Sequence, residues 1–217
     1  MPKPFTLVIG NRNYSSWSLR AWLPLRKTGV DFDVVRIPMD TDEFQQRIGE
    51  YSPTRRVPVL QAGDLTIWDS LAISEYLAEQ FSEARLWPDN PSHRAIARSI
   101  SAEMHSGLMA MRDEFPMSCR ARDRHVQGSP QAMQDLARVE QWLEVCRGLK
   151  PGNGALFGHF TIIDSMLIPV LLRFHTYGLA KSDLAKEYLE WVLADADVRE
   201  WMELAEKETE VIEHEER

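Results

Sequence analysis

Strand and helix patterns alternate over the first 81 residues of this chain, and after Leu86 strand signals stop. Phe5-Thr6-Leu7-Val8-Ile9 reads as a buried strand. Ser16 to about Thr28 reads as a helix, with Gly29 placed to end it. Phe32 to Ile37 reads as a second strand and Asp42 to Ile48 as a short, weak helix. Val57–Leu60 and Leu65–Trp68 read as strands, and Gly63-Asp64 suits the tight turn between them. Asp69 to Phe81 carries Leu71, Ile73, Tyr76 and Leu77 on one side of a helix. The order is β-α-β-α-β-β-α, which specifies one mixed sheet with helices packed on it. Its first β-α-β needs a parallel pair joined by a right-handed crossover. Pro24 interrupts the first helix pattern, at a cost of roughly 3 kcal/mol in an ideal helix, so a kink or a break is expected there.

Leu86-Trp87-Pro88-Asp89-Asn90-Pro91 has the two prolines and the Asn of a boundary. Beyond it, Ser92 to Phe115 reads as one long helix, and Pro130 to Arg147 as another. Pro151-Gly152-Asn153-Gly154 reads as a loop. Thr161-Ile162-Ile163-Asp164 is a capping-box pattern before the apolar run Met166 to Leu172. That helix is apolar nearly all round and belongs inside a bundle. Ser182–Leu193 and Asp197–Glu208 close the chain as helices. Three parts result: residues 1–83, a linker at 84–91, and an all-helical 92–217.

The composition narrows the function. With 44% hydrophobic residues in 217, the chain can bury a real core. A net charge of −8 argues against a nucleic-acid partner. No apolar run is long enough to span a membrane, and the residues from Met1 lack a signal-peptide pattern, so a soluble cytoplasmic protein is expected. Cys119 and Cys146 form no C-x-x-C pair and read as packed or surface thiols. The six histidines have no metal-ligand spacing, and no metal is expected. The acidic stretch from Glu200 to Arg217 reads as a solvated helix face or a frayed tail.

Four segments carry candidate chemistry. Ser15 and Ser16 stand where the first strand meets the first helix, amid free N–H groups that favour anions. A thiol held there would ionise more readily. Serine would act by donating to the sulfur anion, and ordinary helix capping is the competing reading. Pro58 follows Val57 in a strand-like run, which fits either a cis bond or an edge strand. A cis bond would present the Val57 backbone to an extended ligand. Asp69-Ser70 opens a helix; it fits an amino-acid zwitterion, or again plain capping. Arg55 and Arg56 could pair with a ligand carboxylate or form a solvated edge. His105 and Met109, in a methionine-rich helix, suit a soft apolar wall or ordinary core.

In this order and spacing the segments resemble the cytosolic glutathione S-transferase family, over essentially the whole chain. The resemblance implies an α/β thioredoxin-like N-terminal domain (1–83), a linker (84–91) and an all-α C-terminal helical bundle (92–217). Asn13 to Arg20 is similar to the serine-type turn of zeta- and tau-like members, in bacterial style. The family's catalytic serine falls on Ser15, with Ser16 beside it, and Trp17 joins the substrate pocket. Val57 before Pro58 matches the residue that pairs with the cysteinyl backbone of glutathione. Asp69-Ser70 matches the pair that binds the γ-glutamyl group, and Arg56 a basic position used for the glycyl end. Glutathione would be the cosubstrate, a small electrophile the second substrate, and a cytoplasmic homodimer with a detoxifying role the expected assembly. A turn without cysteine argues against disulfide-forming members and a thiol-disulfide reductase. Maleylacetoacetate isomerases have a cysteine where Trp17 stands, and their substrate arginine would fall near Thr176, about one turn past Arg173. A glutathione-dependent isomerase and a non-catalytic binder stay as alternatives.

Overall fold

In a computed structural model of the chain, which describes residues 3–150, 152 and 154–216, strand β1 (Phe5–Ile9) is the centre of the sheet. Its apolar run is covered on both faces, as a strand paired on both edges requires. β1 runs parallel to β2 (Phe32–Arg36), with Phe5 opposite Phe32 and Leu7 opposite Val34. On its other edge β1 pairs antiparallel with β3 (Val59–Ala62), Leu7 facing Leu60. β3 turns at Gly63-Asp64 into β4 (Leu65–Trp68), giving the order β2-β1-β3-β4. Gly63 takes a φ of 61°, which a glycine adopts without steric cost.

Helix α1 (Ser16–Lys27) links β1 to β2, and α2 (Asp42–Tyr51) precedes β3. Pro24 lies in the last turn of α1, which stays one uninterrupted helix rather than breaking there. Gly29, at φ 73°, follows the end of the helix. Helix α3 (Ser70–Gln80) starts directly after β4 and packs against α1.

The expected single helix over 92–115 is two helices, α4 (Pro91–Ser106) and α5 (Met109–Glu114). Gly107 and the left-handed Leu108 (φ 60°) separate them. A break leaves carbonyls without partners. Arg112 supplies them, with Nε donating to Gly107 O (2.9 Å) and Nη2 to Met104 O (2.6 Å).

Then come α6 (Pro130–Leu149), α7 (Ile162–Tyr177), α8 (Asp183–Ala194) and α9 (Ala196–Glu206). Pro151 and Asn153 of the expected loop lie outside the described residues. The capping box at Thr161 forms: Asp164 Oδ2 accepts from Thr161 N–H (2.8 Å) and Oγ1 (2.9 Å). Asp164 Oδ1 takes the Leu156 N–H and the Tyr188 hydroxyl. Helix α7 is buried nearly all round and packs against α1, α4 and α8.

Within residues 84–91, Arg85, Asp89, Asn90 and Pro91 are exposed, while Leu86, Trp87 and Pro88 turn inward. Leu86 and Trp87 are buried in the same core as Leu7, Leu19 and Ile163, and Leu86 O accepts from Ile162 N–H (2.8 Å). The acidic tail is not frayed either. Ile212 and Glu208 are buried, and the tail lies against the turn before α1. Arg217 lies outside the described residues. Among the described residues, no helix is long and apolar enough to cross a membrane, and no three metal-binding side chains cluster. Burial pushes the thiols of Cys119 and Cys146 up to about 12, so neither is a ready thiolate.

Candidate active site

A cleft of about 520 Å³ opens where α1, the loop before β3, the β4–α3 junction and α4 meet. Arg56, Val57 and Pro58 form one wall, Asp69 and Ser70 another, and Trp17 and His105 face them. Thr54 and Trp68 complete the lining. The Val57–Pro58 bond is cis, and β3 begins at Val59, so the Val57 backbone stands outside the strand ladder. Arg56 lines the cleft. Arg55 instead turns back, its Nη2 donating to Gln45 O (2.5 Å). Met109 stays outside the cleft at the start of α5, 68% exposed; the apolar wall expected of it does not form there.

Ser15 and Ser16 are both nearly buried at the start of α1 and do not line the cleft. Ser15 caps the helix, its Oγ accepting from Ser18 N–H (3.3 Å). Ser15 Oγ and Ser18 Oγ are 2.7 Å apart. Ser18 Oγ already accepts from Gly10 N–H (3.1 Å). Each hydroxyl has one proton to give. Ser18 is fully buried, and Ser15 Oγ is the acceptor within its reach. Either hydroxyl can be the donor of this pair; when Ser18 donates, the Ser15 proton is left for another acceptor. Ser16 Oγ has no partner among the described residues.

At the β4–α3 junction the sequence offers Ser70 as a cap, and the structure uses Asp69 instead. Its Oδ1 accepts from Leu71 N–H (2.9 Å) and Ala72 N–H (3.1 Å). Its Oδ2 lies 2.9 Å from His105 Nε2. Burial alone would raise the Asp69 carboxyl, but the hydrogen bonds from His105 and Ala72 outweigh it and hold the group below its ordinary value. Ser70 is thereby released from capping. Its Oγ is buried, borders the cleft, and has no hydrogen-bond partner among the described residues. An orphaned hydroxyl of this kind is costly unless a ligand satisfies it.

Sequence reasoning gave no role to two arginines beside Trp17. The Arg20 guanidinium stacks on that ring at 4.3 Å, and the Arg112 guanidinium lies 5.2 Å from it. Arg20 is fully buried, and none of its three side-chain nitrogens has a hydrogen-bond partner among the described residues; nor has Arg112 Nη1. Burial holds the Arg20 guanidinium well below its usual range, and Arg112 and Arg173 push the same way. Arg173 is bound to backbone, Nε to Phe115 O (2.8 Å) and Nη1 to Pro169 O (3.0 Å). The signal in the sequence is Arg20 itself: a cation on the apolar side of α1, four residues after Ser16 and so on the same face.

The chain is similar to known proteins in sequence and in fold. The model of the glutathione S-transferase N-terminal domain matches residues 14–80. Maleylacetoacetate isomerase of Mus musculus is 38% identical over 105 residues, 47% of this chain and 48% of that protein. In that match the chain spans about half the length of the mouse relative. Probable maleylacetoacetate isomerase of Caenorhabditis elegans is 27% identical over 168 residues, 77% of this chain and 78% of the relative. A solved glutathione transferase homolog from Burkholderia, with bound glutathione, has a TM-score of 0.71 at 25% identity, covering 95% of this chain and 100% of its own. The family match begins one residue before Ser15 and ends at the last residue of α3, and the fold is shared along nearly the whole length: residues 14–80 match the N-terminal domain of the glutathione S-transferase family, and the whole chain has the glutathione transferase fold.

Proposed function

We propose that the chain is a cytoplasmic glutathione transferase that joins the thiol of glutathione to small, largely apolar electrophiles, acting as a two-fold homodimer in detoxification. Residues 1–83 bind glutathione, 84–91 connect, and 92–217 supply the second substrate's pocket. The observation that carries the reading is the convergence of Arg56, Val57, Pro58, Asp69 and Ser70 on one cleft, with Ser70 Oγ left unpaired inside it. Ser70 donates to the γ-glutamyl carboxylate and Asp69 accepts from the ammonium group. The Val57 backbone pairs with the cysteinyl residue, and Arg56 meets the glycyl carboxylate. Glutathione supplies the nucleophile. The chain's part is to keep its sulfur charged and aimed.

Magnitudes select the group that does this. A hydrogen bond to a charged acceptor is worth about 1.5–3 kcal/mol, and a helix N-terminus about 0.3–1 kcal/mol. The hydroxyl therefore dominates, and we assign the role to Ser15, the cap of α1, whose proton is available when Ser18 donates to it. Ultraviolet titration of bound glutathione tests this. Ser15→Ala is expected to raise the bound thiol pKa by about 1–2 units, and Ser16→Ala to change it little. Equal thiolate in the wild type and both variants would refute the assignment.

A second reading has its own support. Several relatives are maleylacetoacetate isomerases, and the unpaired donors of Arg20 and Arg112 beside Trp17 suit an anionic substrate. Turnover of a maleyl-type diacid without net consumption of glutathione would favour isomerase over transferase.

A further inference from the structure

The turn that carries Ser15 is fixed by residues far away in the sequence. Glu208, just after α9, accepts from Arg12 N–H with Oε1 (2.9 Å) and from Asn13 N–H with Oε2 (3.2 Å). Its side chain is 5% exposed, and the Arg12 and Arg36 guanidinium groups lie 3.6 and 3.8 Å from Oε1. The carbonyls of the same turn are also taken. Trp201 Nε1 donates to Arg12 O (3.0 Å) and Cys119 N–H to Asn13 O (3.1 Å). Tyr14 Oη donates to Glu216 (2.5 Å) and accepts from Arg120 Nη2 (3.0 Å). Arg120 then donates to Glu208 O and to Glu210 O (2.9 Å), which ties the tail to the turn.

Two successive N–H groups facing one carboxylate fix two successive peptide planes. Those planes lead into Ser15, whose own N–H returns to Asn11 O (2.8 Å). We infer that Glu208 is a positioning residue for the reaction proposed above, holding the Ser15 turn in the geometry that lets the hydroxyl reach the sulfur. The inference rests on the glutathione reading of the cleft. Only a carboxylate offers an acceptor to each amide. Glutamine would turn an NH2 group toward one of the two N–H groups, so Glu208→Gln sets a donor against a donor at nearly unchanged volume.

The test uses the full chain as wild type, Glu208→Gln, Glu208→Asp and, as a control on the exposed tail, Glu213→Gln. Hydrogen exchange of the Arg12 and Asn13 amides is measured together with the pKa of the bound glutathione thiol and with kcat and KM. In Glu208→Gln the two amides are expected to exchange at least about tenfold faster. The bound thiol pKa is expected to rise by about one unit, and kcat at neutral pH to fall on the order of tenfold, with KM for glutathione nearly unchanged. Glu208→Asp keeps both acceptors and the charge and is expected to fall between wild type and Gln, which keeps the test alive if Gln does not fold. Unchanged exchange at Arg12 and Asn13 overturns the inference. So does faster exchange with wild-type thiol pKa and kcat, the result of a staple that only holds the tail. A wild type that binds no glutathione overturns the transferase reading itself, and is distinguished by appearing before any substitution is made.

Discussion

Asp69 divides one carboxylate between two tasks. Oδ1 caps α3 through Leu71 and Ala72, and Oδ2 meets His105 across the cleft. It does so from a φ of 79°, a conformation that costs a non-glycine residue about 1–3 kcal/mol and that clusters at functional sites. Because the folded carboxyl sits below its ordinary 3.8, its charge adds stability that is fully present above about pH 4 and is lost as the pH falls through the folded value. Asp69→Asn keeps a good cap and removes the charge. The side chain is 40% exposed, so solvent limits the effect to less than about 1 kcal/mol. Urea titrations are expected to show Asp69→Asn less stable at pH 7, with the difference narrowing as the pH falls below about 4. A difference that does not narrow would place its origin in the cap and not in the charge.

At the scale of elements, the α4–α5 break depends on Gly107. A Cβ at that position would stand 2.8 Å from Glu103 O, a backbone atom within α4 that cannot swing away. Gly107→Ala is therefore expected to cost about 1–3 kcal/mol and to disturb the Arg112 contacts to Met104 O and Gly107 O, as chemical denaturation would report. A stability equal to wild type would mean that the break relaxes freely. The same break explains where the sequence could be read and where it could not. Strands β1 to β4, the start of α3 and the α7 capping box are written locally, in runs of apolar residues and in caps a few positions apart. A lone glycine in a helical pattern does not announce a break, because the carbonyls freed at the end of α4 are satisfied by a side chain five residues on. The site divides in the same way. Arg56, Val57, Pro58, Asp69 and Ser70 reach one cleft from motifs that are legible in order. Glu208 gripping Arg12 and Asn13, and Arg20 stacked on Trp17 with Arg112 nearby, come from pairings across the chain that no local pattern encodes.

Over the whole molecule the sheet and the helical part share one core. Leu7 and Leu60 of the sheet, Leu19 of α1, and Ile163 and Leu167 of α7 belong to the same buried cluster. The segment between the two parts sends Leu86 and Trp87 into it: Trp87 is 8% exposed, and its Nε1 donates to Glu75 of α3 (3.0 Å). Helix α7 packs directly on α1, so loss of the helical part would strip the cover from the helix that presents Ser15. Two units joined by an exposed linker would unfold in separate steps. A shared core makes each unit part of the other's folded state, and coincident unfolding is the consequence. Urea unfolding followed by far-ultraviolet circular dichroism and by tryptophan fluorescence is expected to give one superimposable transition. Trp87→Ala removes a large side chain from the junction and is expected to lower stability by about 3–5 kcal/mol, moving the whole transition without dividing it. A biphasic curve in the wild type would show that the buried junction does not couple the halves. A biphasic curve in Trp87→Ala alone would show that Trp87 is the coupling.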